Sequence, residues 1–387
     1  MTEPLEQNVP LSAIAREWSR IGLIGFGGPP AHIALLRKLC VEDRGWLSAH
    51  EFEDAVSSTN LLPGPASTQL AIFCAWRLRG RLGALVGGVC FIAPGLVIIL
   101  ALSALFLAAH PPLWVEGAAA GAGAAVPAVA LNAAIGLMPA SWRRVGDARP
   151  LKVRWIAYFV AGAVSGASIG AYLVLVLIGC GLIEIVAQRG FSNRSGPMAF
   201  FLVPASTPVL AGGLAALCWV AFKVGALSYG GGFVIIPLIQ HDVVVTYHWM
   251  TGAQFLNAVA LGQITPGPVV QTVSVVGYAE GGLGGGLLAA FVAFAPSFLF
   301  IIAGGSHFDR LRADARIQAF LTGTGAAVIG AIAGSAIPLG RELAHVWQLA
   351  ILGLAAIWLL GLRRGVVPAL VACGLVGVIA VMAGAPA

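Results

Sequence analysis

The chain has 387 residues, of which 59% are hydrophobic and 10% charged, and its mean hydropathy is +0.91. Soluble domains carry about a quarter charged residues, so a surface built for water is excluded. The formal net charge of +6 does not indicate nucleic acid, because the basic residues stand between apolar runs, where they set membrane topology.

The opening stretch, residues 1–10, is polar and acidic, unlike a cleavable signal peptide. Six apolar segments follow at roughly 14–36, 53–76, 82–109, 113–139, 153–165 and 169–188. Six more lie at roughly 214–240, 252–278, 283–305, 317–338, 344–361 and 366–384. A bilayer crossing takes roughly 20 apolar residues, and uncharged runs of 34 residues (82–115) and 37 residues (243–279) exceed this. The pattern predicts an all-α polytopic membrane protein. Only 151–188 is short for the two crossings assigned to it. The 51 glycines are about twice the usual share and predict close helix packing and interrupted helices. Six scattered cysteines, without CxxC or histidine spacing, read as small apolar packers. No metal site and no cofactor is expected.

The chain is written twice. A shift of 203 residues lays 21–69 on 224–272 without a gap and with 13 identities. Gly27-Gly28 falls on Gly230-Gly231, Trp46 on Trp249, and Pro63-Gly64-Pro65 on Pro266-Gly267-Pro268. A one-residue adjustment brings Ala93-Pro94 onto Ala295-Pro296. Basic loops follow segments one, two, four and six of the first half, but segments three and five of the second. The positive-inside rule then predicts halves inverted relative to each other. Inversion needs an odd number of crossings per half, so one segment has to fold back. Segment two is the one assigned, because it holds Pro-Gly-Pro and has like-charged loops at both ends. The expected architecture is two inverted-topology repeats, with about ten crossings plus two broken or re-entrant helices. Residues 1–188 form the N-terminal repeat, 189–210 a linker and 211–387 the C-terminal repeat.

Inverted repeats with interrupted helices are transporter architecture, and substrate sites lie where half-helices end near the midplane. Pro65 and Pro268 suit the first turn of a new helix, whose free amides can hold an anion. Asn60, Ser67, Thr68 and Gln69 surround the first Pro-Gly-Pro, and Gln263, Thr265, Gln271 and Thr272 the second. Their hydroxyls and amides can bond an oxyanion without adding fixed charge. Arg20 and Lys223 are equivalent under the shift, each seven residues before its Gly-Gly. A cation in an apolar segment usually marks function, and Lys223 is expected to face the central cavity and help hold the anion. Any of Glu53, Asp54, Glu116 and His32 could relay a proton, but each lies near a segment end, where a solvated side chain is expected. No nucleophile–base arrangement, HExxH or Walker motif occurs, so no enzyme is expected.

These motifs resemble the chromate ion transporter (CHR) family in its long-chain two-domain form. The similarity rests on FGGPPAHIALL (26–36), RGWLS (44–48), NLLPGPASTQLAI (60–72) and FIAPG (91–95) in the first half. SYGGGFVIIPLI (228–239) and GQITPGPVVQT (262–272) carry it in the second. The resemblance implies efflux of chromate, a tetrahedral dianion, across the inner membrane and thereby chromate resistance. A sulfate or related oxyanion carrier and, further off, an anion channel are the alternatives. The lipid bilayer and the anion are the expected partners, with no nucleic acid; the oligomeric state is left open.

Overall fold

The computed structural model describes residues 9–59, 62, 64–168, 172–189, 213–228, 233, 235–304 and 314–386. Among these there are helices and no strands. The first half runs α1 (Leu11–Ile24), α2 (Pro29–Arg37, continued by a π turn Lys38–Asp43), α3 (Ala49–Thr59) and α4 (Ala66–Phe106). It continues with α5 (Leu113–Ala124), α6 (Val126–Arg144), α7 (Arg149–Ser168) and α8 (Leu173–Arg189). The second half runs α9 (Gly213–Leu227), α10 (Ile235–Gln240, with a π turn His241–Thr246), α11 (Gly252–Ile264) and α12 (Thr272–Gly304, entered by a 3₁₀ turn Val269–Gln271). It ends with α13 (Ala315–Arg341), α14 (Val346–Ala356, with a π turn Ile357–Gly361) and α15 (Val366–Met382). Among the described residues four stretches are long and apolar enough to cross a bilayer: Ala66–Phe106, Leu113–Arg144, Val269–Gly304 and Ala315–Arg341.

Local irregularities recur at the spacing of the sequence repeat. The π turns at 38–43 and 241–246 stand 203 residues apart. Within α4 the backbone leaves the helix at Arg79 (φ −145°, ψ 28°) and Gly80 (φ 56°, ψ −144°). Within α12 it does so at Gly281 (φ −136°, ψ 27°) and Gly282 (φ 57°, ψ −149°). Each is a reversal of direction. Gly83 packs on the Ala75 carbonyl and Gly285 on Gly277, although eight residues of continuous helix would span about 12 Å. The positive φ at Gly80 and Gly282 is what a side chain would resist. α4 and α12 are therefore two-armed, and their second arms (81–106 and 283–304) are the membrane-length pieces.

Segment two folds back as expected. Arg77, at the end of the first arm of α4, donates to Glu51 of α3 at 2.6 Å. Segment one, read as a crossing, folds back too. Arg44 bonds Glu17 at 3.0 Å, and Trp46 stacks on Trp18 at 6.4 Å, so residues 44–46 return beside α1. In the second half Asp242 returns beside Lys223. The reason is local: Gly27 (φ 99°) and Gly28 (φ 72°) hold two successive left-handed conformations, and Pro29-Pro30 starts a new helix behind them. An apolar hairpin and an apolar crossing have the same composition, so hydropathy does not separate them.

The remaining helices cross-brace the halves through glycine. Gly162 and Gly166 of α7 meet the carbonyls of Ala327 and Ala331 on α13, so these two helices run parallel. Gly117 and Gly121 of α5 meet Gly377 and Cys373 of α15 in antiparallel sense. The second arms of α4 and α12 are also antiparallel, since Gly88 lies against Phe298 and Gly286 against Leu100. Outward faces are apolar (Leu82, Val89, Val97, Leu283, Phe291 and Leu299 are exposed), as a lipid-facing surface requires.

Candidate functional site

The helix breaks meet in the interior, each against the other half. Gly64 has φ 122° and Gly267 φ 96°, and neither Pro65 nor Pro268 is followed by a side-chain cap. The Gly267 amide donates to Gly25 O at 3.0 Å. A Cβ on Gly64 would stand 3.2 Å from Gly225 O and 3.4 Å from Ser297 Oγ, so the first Pro-Gly-Pro abuts α9 and the second arm of α12. Gly28 lies against Val269, and Gly95 against Pro266 and Gln271. A Cβ on Gly95 would stand 2.2 Å from Pro266 O, so only glycine admits that approach, while at Gly28, Gly64 and Gly267 the positive φ favours glycine.

A chain of hydrogen bonds ties three breaks together. Gly25 O accepts both the Gly267 amide and His32 Nε2, the latter at 2.9 Å. A carbonyl can only accept, so Nε2 carries the hydrogen. His32 Nδ1 is then left to accept from Ser67 Oγ at 3.2 Å, in the first turn of α4. The imidazole packs edge-on against Phe91 with centroids 5.1 Å apart. His32 is fully buried, which corrects the expectation of a solvated side chain.

Several polar atoms at this junction are buried and make no hydrogen bond among the described residues. They are Thr68 Oγ1, Gln263 Nε2, Gln271 Oε1, Ser274 Oγ and Ser297 Oγ. Buried polar atoms are nearly always paired, and an unpaired one costs about 1–3 kcal/mol. Gln271 is half engaged, its Nε2 donating to Ile92 O at 2.7 Å. Thr265 and Thr272 instead bond carbonyls of their own turns, Leu261 O and Val269 O, both at 2.8 Å.

Of the residues singled out in the sequence, Gly27, Gly28, Gly64, Pro65, Ser67, Thr68 and Gln69 gather here from the first half. Gln263, Thr265, Pro266, Gly267, Pro268 and Gln271 join them from the second. Asn60, Pro63, Gly230 and Gly231 lie outside the described residues. The two cations stand elsewhere. Arg20 has a side chain 60% exposed and pairs at 3.7 Å with Glu17, which Arg44 and Arg16 also hold. Lys223 is 5% exposed and ion-paired with Asp242, itself 7% exposed. Lys223 precedes by two positions Gly225, whose carbonyl oxygen abuts Gly64. Its ammonium is met by Asp242 on the returning limb of the hairpin, where the sequence reading has it holding an anion.

Residues not singled out include Gly25, Gly95, Ser297 and Asp242. Ser297 had a signal, because it follows Pro296 where Gly95 follows Pro94. Asp242 had one as well, being the first charge after Lys223 along the chain. Among the acids, Glu53 pairs with Arg37 at 3.5 Å, and Asp54 with His50 at 3.1 Å. A separate cavity of about 330 Å³ between α5, α11 and α14 is lined by Glu116, Glu342 and His345. Its two carboxylates would repel an anion.

A family model described as chromate transporter matches residues 12–185 and 215–378. The chain is similar to a chromate transport protein of Cupriavidus metallidurans, with 33% identity over 350 residues, covering 88% of this chain and 85% of that one. It is similar to a probable chromate transport protein of Synechococcus elongatus, with 30% identity over 365 residues and 91% of each chain. A chromate transport protein of Pseudomonas aeruginosa is 30% identical over 345 residues, 84% of this chain and 80% of that one. No solved structure matches.

Proposed function

The chain belongs to the chromate transporter family and is a multi-pass membrane protein, and on that premise we propose that it exports chromate or a like tetrahedral dianion across the inner membrane. The observation that carries this reading is the junction of breaks from both halves, where unpaired hydroxyls and amides surround two helix starts. Neutral donors can bond several oxygens of one ion, and helix starts favour negative charge. In this reading Thr68, Gln263, Gln271 and Ser297 bind the anion, while Lys223 and Arg20 do not touch it. The glycines and prolines of both breaks shape the space.

The two halves are read as inverted copies, 1–188 and 211–387. The antiparallel run of the second arms of α4 and α12 supports that arrangement, as does the reversal of basic loops. Because segment one folds back as well as segment two, support for the inversion comes from these antiparallel arms and the loop charges rather than from a count of passages. Outward movement needs no ATP. A charge crossing 100 mV is worth about 2.3 kcal/mol, so a dianion leaving a negative interior gains about 4.6 kcal/mol. Radiolabelled chromate flux in proteoliposomes, with voltage and pH gradient imposed separately, tests the reading. Flux driven by voltage and blocked by excess sulfate is expected from an oxyanion carrier. Flux of sulfate without chromate would replace the substrate, and absence of flux for both would overturn the proposal.

A further inference from the structure

The buried pair His32–Ser67 is not required by the fold. Its equivalents at the same shift are Ile235 and Val270, both buried, so the second half builds the same turn from two aliphatic side chains. A buried polar pair contributes little where an apolar pair of similar size would pack. The polar version therefore needs a reason in one half only.

We propose that His32 is the proton acceptor that links anion occupancy of the junction to pH, a proposal that rests on the anion reading above. In the observed arrangement Nε2–H is committed to Gly25 O, and Nδ1 accepts the Ser67 hydroxyl. The Ser67 hydrogen thus points at the imidazole and is withheld from the breaks. When Nδ1 takes a proton from water, both ring nitrogens become donors. Ser67 Oγ then accepts from Nδ1, and its own hydrogen turns free to bond an anion oxygen. The junction gains one positive charge and one donor in a single step, and no bond to Gly25 is lost. Both changes favour a dianion, so by linkage the anion favours the proton equally.

Among the described residues the other charged groups on the surrounding elements are paired or distant; on α9, which abuts Gly64, Lys223 is ion-paired with Asp242. On α1, Arg20 is exposed and held by Glu17, eight residues before Gly25. On its own helix the next charge is Arg37, half exposed and paired with Glu53. On α4, Arg77 and Arg81 stand ten residues from Ser67 and Phe91 respectively, about 15 Å along the helix. Cys90, which precedes Phe91, sits about 100° round the helix from it. From the second half, Val269 and Gly267 bring no charge nearer than Glu280.

The test is equilibrium binding of radiolabelled chromate to purified protein between pH 5.5 and 8.5, with sulfate as a competitor that stays doubly charged. Wild type is expected to lose affinity for sulfate by up to tenfold per pH unit toward the alkaline end. It is also expected to take up about one proton per anion there, read with a dye in weak buffer. His32→Gln keeps a donor for Gly25 O and is expected to flatten the profile at the weak, alkaline value. Ser67→Ala is expected to retain the slope and bind severalfold more weakly at acid pH. A flat wild-type profile without proton uptake overturns the proposal and leaves the anion reading standing. A His32→Gln profile matching wild type also overturns it. No binding of either anion at any pH overturns both. Because the proton count uses the unmodified protein, a variant that fails to fold does not remove the test.

Discussion

Removing the Lys223 ammonium is expected to strand Asp242 rather than to empty an anion site. Both side chains are nearly closed to solvent, at 6% and 11% exposure, so neither can recruit water in place of the other. Deleting one partner of such a pair costs about 3–5 kcal/mol, whereas replacing both by apolar groups of similar volume is close to neutral. Lys223→Met should therefore lower the unfolding temperature of purified protein by on the order of 10 °C. Lys223→Met/Asp242→Leu should recover most of that loss. Because the Lys223 charge is engaged by Asp242 and not by a break residue, the double variant is expected to keep at least about half of wild-type chromate flux in proteoliposomes. The assay pairs a thermal melt in detergent with radiolabelled flux on the same preparation. A double variant that melts like wild type yet carries under a tenth of its flux would refute the reasoning and return Lys223 to the substrate.

Thr68→Val replaces an unpaired buried hydroxyl by a methyl, so stability should hold or rise by about 1 kcal/mol while chromate affinity falls about tenfold; melts and binding isotherms on one sample check both signs. Gly267→Ala places a side chain at φ 96°, and the strain of about 1–2 kcal/mol at the Gly25 contact should abolish flux while Gly284→Ala, in open space, leaves it unchanged. Reporter fusions at Arg79 and Gly282, the two reversal points, should land on opposite sides of the membrane; the same side for both would defeat the inversion.

What could be read in the sequence was punctuation. Gly-Gly, Pro-Gly-Pro and Ala-Pro at a common shift marked places where helices stop, and backbone chemistry makes such residues unambiguous. The break residues Gly64 and Gly267 do meet the opposite half. The path of the chain between breaks was harder to read. Loop charges report which side a segment ends on only when the segment's own shape is known, and segment one carries apolar residues through both limbs of its hairpin. Once that hairpin is in place, Asp242 falls beside Lys223 and the lone cation acquires a partner. His32 was misplaced for the same cause, since a residue just past a turn lies at a surface when the turn is a loop and at the centre when it is a hairpin tip. Ser297 and Gly95 belong to a contact between halves, which no single stretch of sequence encodes.

The glycine faces joining α7 to α13 and α5 to α15 have a mechanical consequence. Backbones that touch through Gly162, Gly330, Gly334 and Gly377 cannot slide or tilt without opening many short dispersion contacts together, each small but summed along the whole seam. Swinging one repeat away from the other as a rigid block is therefore the expensive motion. The hairpin tips are held across the centre by fewer contacts, chiefly the Gly267–Gly25 and Gln271–Ile92 bonds, each worth about 1 kcal/mol. The Pro-Gly-Pro tips also hang, through the first arms of α4 and α12, from the reversals at Gly80 and Gly282, where a Cβ would meet nothing. On the proposed function, access to alternate sides thus falls to these short levers working inside a fixed frame, and stiffening the two glycine elbows should slow turnover without altering how tightly the cargo is held.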